Sequence, residues 1–338
     1  SMSRGHFTAM TYHRVYIKDT IRMEAFQEAI REIVRPGSSV VDVGTGSGIL
    51  SFLACQAGAA RVDALDPAAA IQAAEAVARH NGFDQIRFHR ADSRTVTLPE
   101  PADVVLCEGL GNFFVSDQML NVLVDARRFC KPDGYLCPNR VQMWLAPVFL
   151  PRFTEVSFWE GEHFGVDFTP AAELARDVAY VTLVYPDELM GPPALYADLY
   201  LGMGQPPAGT TDLAAVLGTQ GGEYQLDNTV ELTITNPSRL FGFVGWFDAV
   251  LSPSVVLRTG PGHDTHWGHV HFPLQPFPTE LGDTVSVKLG FTSDAAYRVH
   301  ISWQGEIRRG GEVVHTFHHD TRQGLGMKPK PSEYAPQG

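Results

Sequence analysis

The chain has 338 residues, of which 44% are hydrophobic and 19% are charged, and its formal net charge is −12. This composition is typical of a soluble globular protein, and the length suits two domains. An acidic chain disfavours nucleic acid as a partner, because phosphate binding needs a basic surface. There is no apolar run of the ~18 residues that span a bilayer and no apolar secretory segment, so we also expect no membrane association.

Apolar periodicity predicts alternating helices and strands over the first 140 residues. Helices are predicted at residues 20–34, 48–57, 68–81 and 118–129, and strands at residues 39–43, 62–65, 86–89 and 104–107. Residues 131–134, Lys-Pro-Asp-Gly, predict a turn. Such alternation is typical of a parallel sheet with helices on both faces, which predicts an α/β domain.

The pattern changes near residue 138, and strand-like segments dominate from residue 142 onward. Residues 230–234 and 285–289 alternate with a period of two, which predicts half-buried antiparallel strands and a second domain of β class. A helical pattern at residues 166–179 interrupts this region. The last residues, from about 323 to 338, are rich in proline and predict a disordered tail.

A glycine-rich turn follows the first strand and opens the next helix. Gly44, Gly46 and Gly48 allow a sharp turn and a close approach of a ligand, because they lack Cβ atoms. Asp42 lies just inside the strand, and Asp66 follows the second strand, where a carboxylate is suited to bind the two ribose hydroxyls of a nucleotide. The alternative interpretations are a tight strand-to-helix turn and, for Asp66, a helix cap.

The spacing of these glycines distinguishes between two cofactor classes. A dinucleotide site would read G-x-G-x-x-G, whereas this turn reads G-x-G-x-G, which suits a ligand without a pyrophosphate. Asp92 and Ser93 follow the third strand, where a carboxylate would meet an adenine amino group. We therefore predict S-adenosylmethionine as the cofactor.

A second polar segment follows the fourth strand. Glu108 lies at the carboxyl edge of the predicted sheet, where ligands bind in such folds, and Asp117 returns nine residues later at the start of a helix. An N-cap role for Asp117 and a surface-loop role for Glu108 are the alternatives. Two carboxylates beside a cofactor predict chemistry on a cationic substrate.

Four ordered motifs together resemble those of the protein arginine methyltransferases, over about residues 7–320. Residues 40–51 match the family's V-L-D-V-G-x-G-T-G-I-L-S, and residues 107–112, Cys-Glu-Gly-Leu-Gly-Asn, correspond to its S-E-W-M-G-Y loop. Residues 265–267 are the family's Thr-His-Trp. The helical motif H-x-x-M-x-x-D-x-x-R is met by His13, Tyr16, Asp19 and Arg22.

The resemblance implies a domain plan. We expect a helical segment at residues 1–36 that covers the active site, a Rossmann-like cofactor domain at 37–140 and a β-barrel-like domain at 141–322. An arm at about residues 165–190 would make a homodimer. The implied reaction is methyl transfer to a guanidino nitrogen of arginine, either in a protein or free.

The resemblance also implies roles for single residues. Glu108 and Asp117 would grip the guanidinium ion, His266 would support them and relay a proton, and Arg22 would bind the cofactor's carboxylate. The expected cofactor residues also include Asp42, Gly44, Gly46, Gly48, Asp66, Asp92, Ser93 and Glu108. The expected substrate pocket comprises Tyr12, His13, Tyr16, Gly109, Asn112 and Trp267.

Departures from the family motif bear on the substrate. Asp117 replaces a glutamate, Asn112 a tyrosine and Tyr16 a methionine. Gly109 replaces a tryptophan and is expected to open space, so the pocket is predicted to take a free amino acid or a small guanidine. Two alternatives remain open: methylation of another small molecule, and a catalytically weak relative that binds protein partners.

Cysteine and histidine usage gives no metal prediction. Cys55, Cys107, Cys130 and Cys137 lie in or beside apolar segments without a C-x-x-C pair, which is typical of free thiols in a reducing compartment. We therefore expect a cytoplasmic protein. The histidines around residues 263–271 are explained by the Thr-His-Trp motif, and we predict no metal there.

Overall fold

The computed structural model describes residues 4–116, 118–218, 223–296 and 298–324. The helices in these residues are α1 Arg4–Lys18, α2 Thr20–Ile33, α3 Ile49–Gln56, α4 Ile71–His80, α5 Met119–Asp125 and α6 Thr169–Ala175. None of these helices combines the length and the apolar character that crossing a membrane requires.

The strands of the N-terminal half are β1 Ser39–Val43, β2 Arg61–Leu65, β3 Ile86–His89, β4 Ala102–Leu106 and β5 Cys130–Cys137. They form one parallel sheet in the order β3-β2-β1-β4-β5. Strands β1, β2 and β4 are almost fully buried, as their runs of valine, leucine and alanine predict. The predicted parallel sheet is confirmed, and the order reverses between β1 and β4, which creates a crevice for a ligand at their carboxyl ends.

The strands of the C-terminal half are β6 Arg140–Val148, β7 Glu162–His163, β8 Val166–Asp167, β9 Tyr180–Thr182, β10 Ala194–Tyr200, β11 Thr211–Asp212, β12 Gln225–Thr233, β13 Arg239–Ser252, β14 Val255–Arg258, β15 His269–Pro278, β16 Thr284–Ser293, β17 Val299–Arg309 and β18 Glu312–Asp320. One sheet has the order β11-β10-β6-β13-β15-β9, with β14 on β13, and another the order β12-β16-β17-β18. Every pairing in them is antiparallel except β10 with β11.

Buried hydrogen bonds join these two antiparallel sheets into a barrel-like unit. The Tyr196 hydroxyl on β10 donates to the carbonyl of Leu289 on β16 at 2.5 Å. The indole N–H of Trp303 on β17 donates to the carbonyl of Pro273 on β15 at 3.0 Å. Trp303 is completely buried, so its apolar ring and its satisfied N–H together fix the spacing of the sheets.

Three details differ from the predicted elements. Residues 131–134 do not form the predicted turn but lie inside β5, where the register with β4 shifts between Ala102 and Val104. Helix α4 begins at Ile71 and not at residue 68. The helix predicted at 166–179 is shorter, because Val166–Asp167 pairs as strand β8 and Pro170 stands in the first turn of α6.

The loop after β4 joins the two halves of the molecule. Phe113 is buried and its ring contacts the rings of Tyr196, Phe272 and Phe291 at centroid distances of 5.8–6.3 Å. A Cβ at Gly245 would overlap with the Phe113 ring, so glycine on β13 makes room for it. Glu108 therefore starts a loop whose middle is anchored in the core of the antiparallel unit.

Helix α2 packs across the junction between the two units. The Glu32 carboxylate accepts hydrogen bonds from the Ser252 hydroxyl at 3.1 Å and from the backbone N–H of Ser254 at 3.0 Å. At its other end Asp19 is the N-cap, with its carboxylate accepting from the backbone N–H of Arg22 at 3.0 Å. Both ends of α2 are thus fixed, which places Arg22 at the edge of the parallel sheet.

Candidate active site

The glycine turn has the conformation that its sequence predicts. Gly44, Gly46 and Gly48 all have positive φ, at 75°, 54° and 86°, where a residue with a Cβ is strained. Asp42 lies beneath the turn and accepts hydrogen bonds from the hydroxyls of Thr45 at 2.8 Å and of Ser51 at 2.7 Å. Asp42 therefore braces the turn from the sheet side, and its predicted contact with a cofactor stays a prediction.

Asp66 braces the same turn from the second strand. One carboxylate oxygen accepts from the backbone N–H of Gly46 at 2.8 Å, and the other accepts from that of Ala68 at 2.7 Å. Each carboxylate oxygen has about two lone pairs, so Asp66 retains the capacity to accept from ribose hydroxyls. A Cβ added at Gly44 would have no neighbour within 4 Å, so a ligand can approach this backbone closely.

Helix α1 lies directly over the turn. A Cβ at Gly46 would overlap with the imidazole of His13, so that ring covers the backbone of Gly46. Burial lowers the pKa of His13, although the nearby carboxylates of Asp66 and Glu108 favour its charged form. This contact between His13 and Gly46 is consistent with the prediction that the N-terminal segment covers the site.

A buried ion pair joins α2 to the loop after β4. The guanidinium Nη2 of Arg22 donates to Oε2 of Glu108 at 2.8 Å, and the side chains of the two residues are 4% and 15% exposed. The Arg22 guanidinium also lies over the rings of Tyr16 and Phe26. Its Nε is buried with no hydrogen-bond partner in the described residues, which leaves one N–H to bind an anion.

The Thr-His-Trp motif reaches the same place from the antiparallel unit. The backbone N–H of His266 and its ring Nδ1 both contact Oδ2 of Asp19, at 2.9 and 2.7 Å. Burial raises the pKa of Asp19, but the hydrogen bonds from His266 and from the backbone of Arg22 outweigh burial and lower it overall. Asp19 belongs to the helical motif, but its role was not assigned from the sequence, where its position three residues before Arg22 is an N-cap signal.

Two residues expected in the substrate pocket join loops to each other. The indole N–H of Trp267 donates to the carbonyl of Leu110 at 2.8 Å, and the amide oxygen of Asn112 accepts from the backbone N–H of Gly268 at 2.9 Å. Both side chains are buried. They therefore hold the loop that begins at Glu108 against the loop that carries His266, and their contact with a substrate stays a prediction.

The space expected beside Gly109 is filled. A Cβ at Gly109 would overlap with the terminal methyl of Met119, so this side chain of α5 lies against the glycine backbone. Sequence reasoning missed Met119, because nothing in the local pattern shows that the first turn of α5 folds back onto residue 109. The glycine thus accommodates a thioether and does not leave an open cavity.

The other predicted residues occupy varied positions. Tyr16 is half-buried, its ring meets that of His266 edge-on at 4.9 Å, and burial with the adjacent Glu108 charge raises its pKa to about 12. Tyr12 is exposed on α1. The Asp92 carboxylate pairs with Arg94 at 2.7 Å. Asp117 lies outside the described residues.

The histidines near the motif have structural partners. The ring of His269 bonds the backbone N–H of Val184 and the carbonyl of Thr259, and burial lowers the pKa of both His269 and His271. Within the ranges that the structure covers, no three His, Cys, Asp or Glu residues are grouped as metal ligands.

Comparisons with known sequences show similarity to methyltransferases. A family model described as ribosomal protein L11 methyltransferase (PrmA) matches residues 24–138. Protein arginine N-methyltransferase PRMT10 of Arabidopsis thaliana is 27% identical over 320 residues, which cover 84% of this chain and 80% of the relative. Protein arginine N-methyltransferase 6 of Xenopus laevis is 28% identical over 278 residues, which cover 77% of each chain.

Solved structures agree with these sequence relatives. The crystal structure of Arabidopsis thaliana protein arginine methyltransferase 10 superposes with a TM-score of 0.76 at 25% identity, covering 92% of this chain and 99% of that chain. The chain thus resembles protein arginine methyltransferases in sequence and in fold over most of its length. The structure titled Trypanosoma brucei PRMT1 enzyme-prozyme heterotetrameric complex with AdoHcy is 20% identical and has the same fold, with a TM-score of 0.79. The superposition covers 91% of this chain and 96% of that chain.

The brace under the glycine turn predicts a pH dependence of stability. Burial raises the pKa of Asp42 from 3.8 to about 6, against the opposing hydrogen bonds from Ser51 and Thr45. Between these values the folded state binds a proton that the unfolded state releases, so stability falls as pH rises. Relative to Asp42→Asn, the wild type should lose about 2 kcal/mol of unfolding free energy between pH 4 and pH 7.

Urea unfolding of both proteins at several pH values measures this difference. The asparagine variant carries no titrating group at this position, so it reports all other pH effects. Unfolding free energies that change in parallel from pH 4 to pH 7 would contradict the raised pKa.

Proposed function

We propose that the chain transfers a methyl group from S-adenosylmethionine to a guanidino nitrogen of arginine, either protein-bound or free. The observation that carries this proposal is the Glu108 carboxylate, which Arg22 and the backbone hold at the mouth of the parallel sheet beside the glycine turn. A fixed carboxylate in that position is complementary to a cationic acceptor. The names of the relatives, which are arginine methyltransferases, support the same reaction.

The residues around the glycine turn fit the proposed cofactor. The unpartnered, buried Nε of Arg22 suits the carboxylate of the methionine moiety, and Asp66 suits the ribose hydroxyls. Asp92 and Ser93, at the end of the third strand, suit the adenine. When bound, S-adenosylmethionine supplies an electrophilic methyl group on its sulfonium.

Glu108 orients and activates the acceptor. Its Oε2 accepts from Arg22 and its Oε1 accepts from the backbone N–H of Leu110 at 3.0 Å, which leaves about two lone pairs for guanidinium N–H groups. Gripping two nitrogens draws positive charge toward them and leaves the remaining nitrogen more nucleophilic. The acceleration of methyl transfer then comes from the position of the acceptor and from electrostatics. We assign the role of the second carboxylate that binds the guanidinium to Asp117.

His266 takes the proton that the acceptor nitrogen loses. Its Nδ1 faces Asp19, so the other ring nitrogen, Nε2, is the one that remains to accept a proton. Asp19 fixes the tautomer and stabilises the imidazolium that forms, because its buried carboxylate is the immediate partner of Nδ1. Methyl transfer then yields a methylated guanidinium and S-adenosylhomocysteine, with one proton released to His266.

The carboxylate grip predicts the effect of one substitution. Glu108→Gln keeps the shape of the side chain but removes the charge, so methyl transfer should fall by at least about 100-fold. The measurement is mass spectrometry with labelled S-adenosylmethionine and two acceptors in parallel, free arginine and an Arg-Gly-rich peptide. Glu312→Gln, at an exposed position on β18, is the matched control and should keep wild-type activity.

The two acceptors also distinguish methylation of arginine in a protein from methylation of free arginine. Transfer to the peptide identifies a protein methyltransferase, and transfer to free arginine alone identifies a small-molecule enzyme. Wild-type protein that binds S-adenosylhomocysteine but methylates neither acceptor would contradict the proposed acceptor class.

We also propose a homodimer formed through the arm. The hairpin of β7 and β8 carries Phe164 at its tip, where it is fully exposed and has a positive φ of 54°. A phenylalanine is unfavourable in that conformation and in water, so its position points to contact with another surface. Phe158 and Val166 nearby are more than half exposed, which extends the apolar patch.

A substitution at the tip tests the dimer. Phe164→Asn removes the apolar ring and suits the positive φ, so the variant should fold at least as well and dissociate at least about tenfold more readily. Light scattering and sedimentation at micromolar concentrations measure the mass. A wild-type protein of monomeric mass, or an unchanged dimer in the variant, would contradict this role of the arm.

We propose the cytoplasm as the location and residues 37–140 and 141–322 as the two main domains. Cys55, Cys107, Cys130 and Cys137 are all buried and unpaired, which supports a reducing compartment. The change from parallel to antiparallel pairing between β5 and β6 supports the domain division.

A further inference from the structure

Arg94 connects the predicted adenine end of the site with α5. This helix follows the loop that begins at Glu108, which we call the acceptor loop. Its backbone N–H and Nε donate to Oδ1 of Asp92 at 3.0 and 3.1 Å, and its Nη2 donates to Oδ2 at 2.7 Å. The same Nη2 also donates to the side-chain oxygen of Gln118 at 2.6 Å. One guanidinium group is thus shared between the end of the third strand and the start of α5.

A second arginine fixes the segment that carries Asp92 and Arg94. Arg128 donates to the carbonyl of Ser93 and to the carbonyl of Val96, both at 2.5 Å. The backbone from Ser93 to Thr95 is a short 3₁₀ turn capped by Asp92. Arg128 thus binds the backbone at two carbonyls of this segment, while the Asp92 side chain binds the Arg94 guanidinium.

Gln118 continues the connection toward the acceptor side. Its carbonyl accepts from the backbone N–H of Val122 at 3.1 Å, the first helical bond of α5. The next residue, Met119, places its terminal methyl against Gly109, the neighbour of Glu108. The contacts therefore run without a break from Asp92 through Arg94, Gln118 and Met119 to the acceptor loop.

We propose that Arg94 is a positioning residue that couples occupancy of the adenine site to the order of α5 and the acceptor loop. This inference rests on the proposed function for the identity of the cofactor. Each carboxylate oxygen accepts about two hydrogen bonds, and Oδ1 of Asp92 already accepts two from Arg94. Oδ2 accepts one, so it keeps one lone pair for the adenine amino group. A ligand there fixes Asp92 and Arg94, so part of the entropy cost of ordering α5 is met before the acceptor binds.

Arginine is suited to this role and lysine is not. The planar guanidinium presents several N–H groups at fixed angles, so it can bind both oxygens of Asp92 while one nitrogen also reaches Gln118. A lysine at position 94 has a single flexible ammonium group and cannot hold both partners with that geometry. Charge alone therefore does not replace Arg94.

Hydrogen exchange measured by mass spectrometry tests the coupling without an acceptor. Saturating S-adenosylhomocysteine should slow amide exchange in α5 at least about fivefold in the wild type. In Arg94→Ala, Arg94→Lys and Gln118→Ala the slowing should be less than about twofold at saturation, which titration calorimetry verifies. Arg79→Ala, an exposed arginine on α4, is the matched control and should retain the wild-type response.

The outcomes distinguish this inference from the proposed reaction. Full slowing of exchange in Arg94→Ala, or no slowing in a wild type that binds S-adenosylhomocysteine, overturns the coupling. If Arg94→Ala is too unstable to measure, the exchange rates of Gln118→Ala test the coupling instead. This substitution removes the same hydrogen bond between Arg94 and Gln118 by changing its exposed partner. A wild type that shows the coupling but methylates neither acceptor upholds this inference and contradicts the reaction, whereas no binding of S-adenosylhomocysteine overturns both.

Discussion

The site depends on the buried ion pair between Arg22 and Glu108. Around it runs a closed ring of contacts: Asp19 caps Arg22 and binds His266, the adjacent Trp267 binds Leu110, and the N–H of Leu110 binds Glu108. Breaking a buried ion pair by removing one partner commonly costs about 3–5 kcal/mol, because the other charge stays buried. Each member of the ring is thus fixed by members from different parts of the chain.

This ring explains why the N-terminal helices and the antiparallel unit both belong to the site. The parallel sheet carries the glycine turn and Glu108, but the guanidinium that pairs with Glu108 and the indole that binds the carbonyl of Leu110 come from outside it. Helix α2 supplies Arg22, and the Thr-His-Trp loop supplies the hydrogen bonds of His266 and Trp267. A polar site assembled from three units is pre-organised only when all three are folded together.

Sequence patterns predicted the features that depend on residues close together in the chain. The parallel sheet followed from buried strands alternating with helices, and the positive φ of Gly44 and Gly46 followed from the turn. The motifs also located His266 and Glu108. Long-range packing was not accessible: the methyl of Met119 against Gly109 reversed the expectation of open space, and Asn112 binds Gly268, whose position depends on the other domain. Side-chain partners distant in sequence carry no local signal.

The most direct test of the ring is a double-mutant cycle on the free energy of unfolding, with Asp19→Asn and Glu108→Gln. These two side chains bind opposite ends of Arg22, the backbone N–H and the guanidinium, and do not bind each other. If the contacts form one unit, the two losses should differ from additivity by about 1 kcal/mol or more. Losses that add to within about 0.5 kcal/mol would contradict the ring and reduce it to separate, independent contacts.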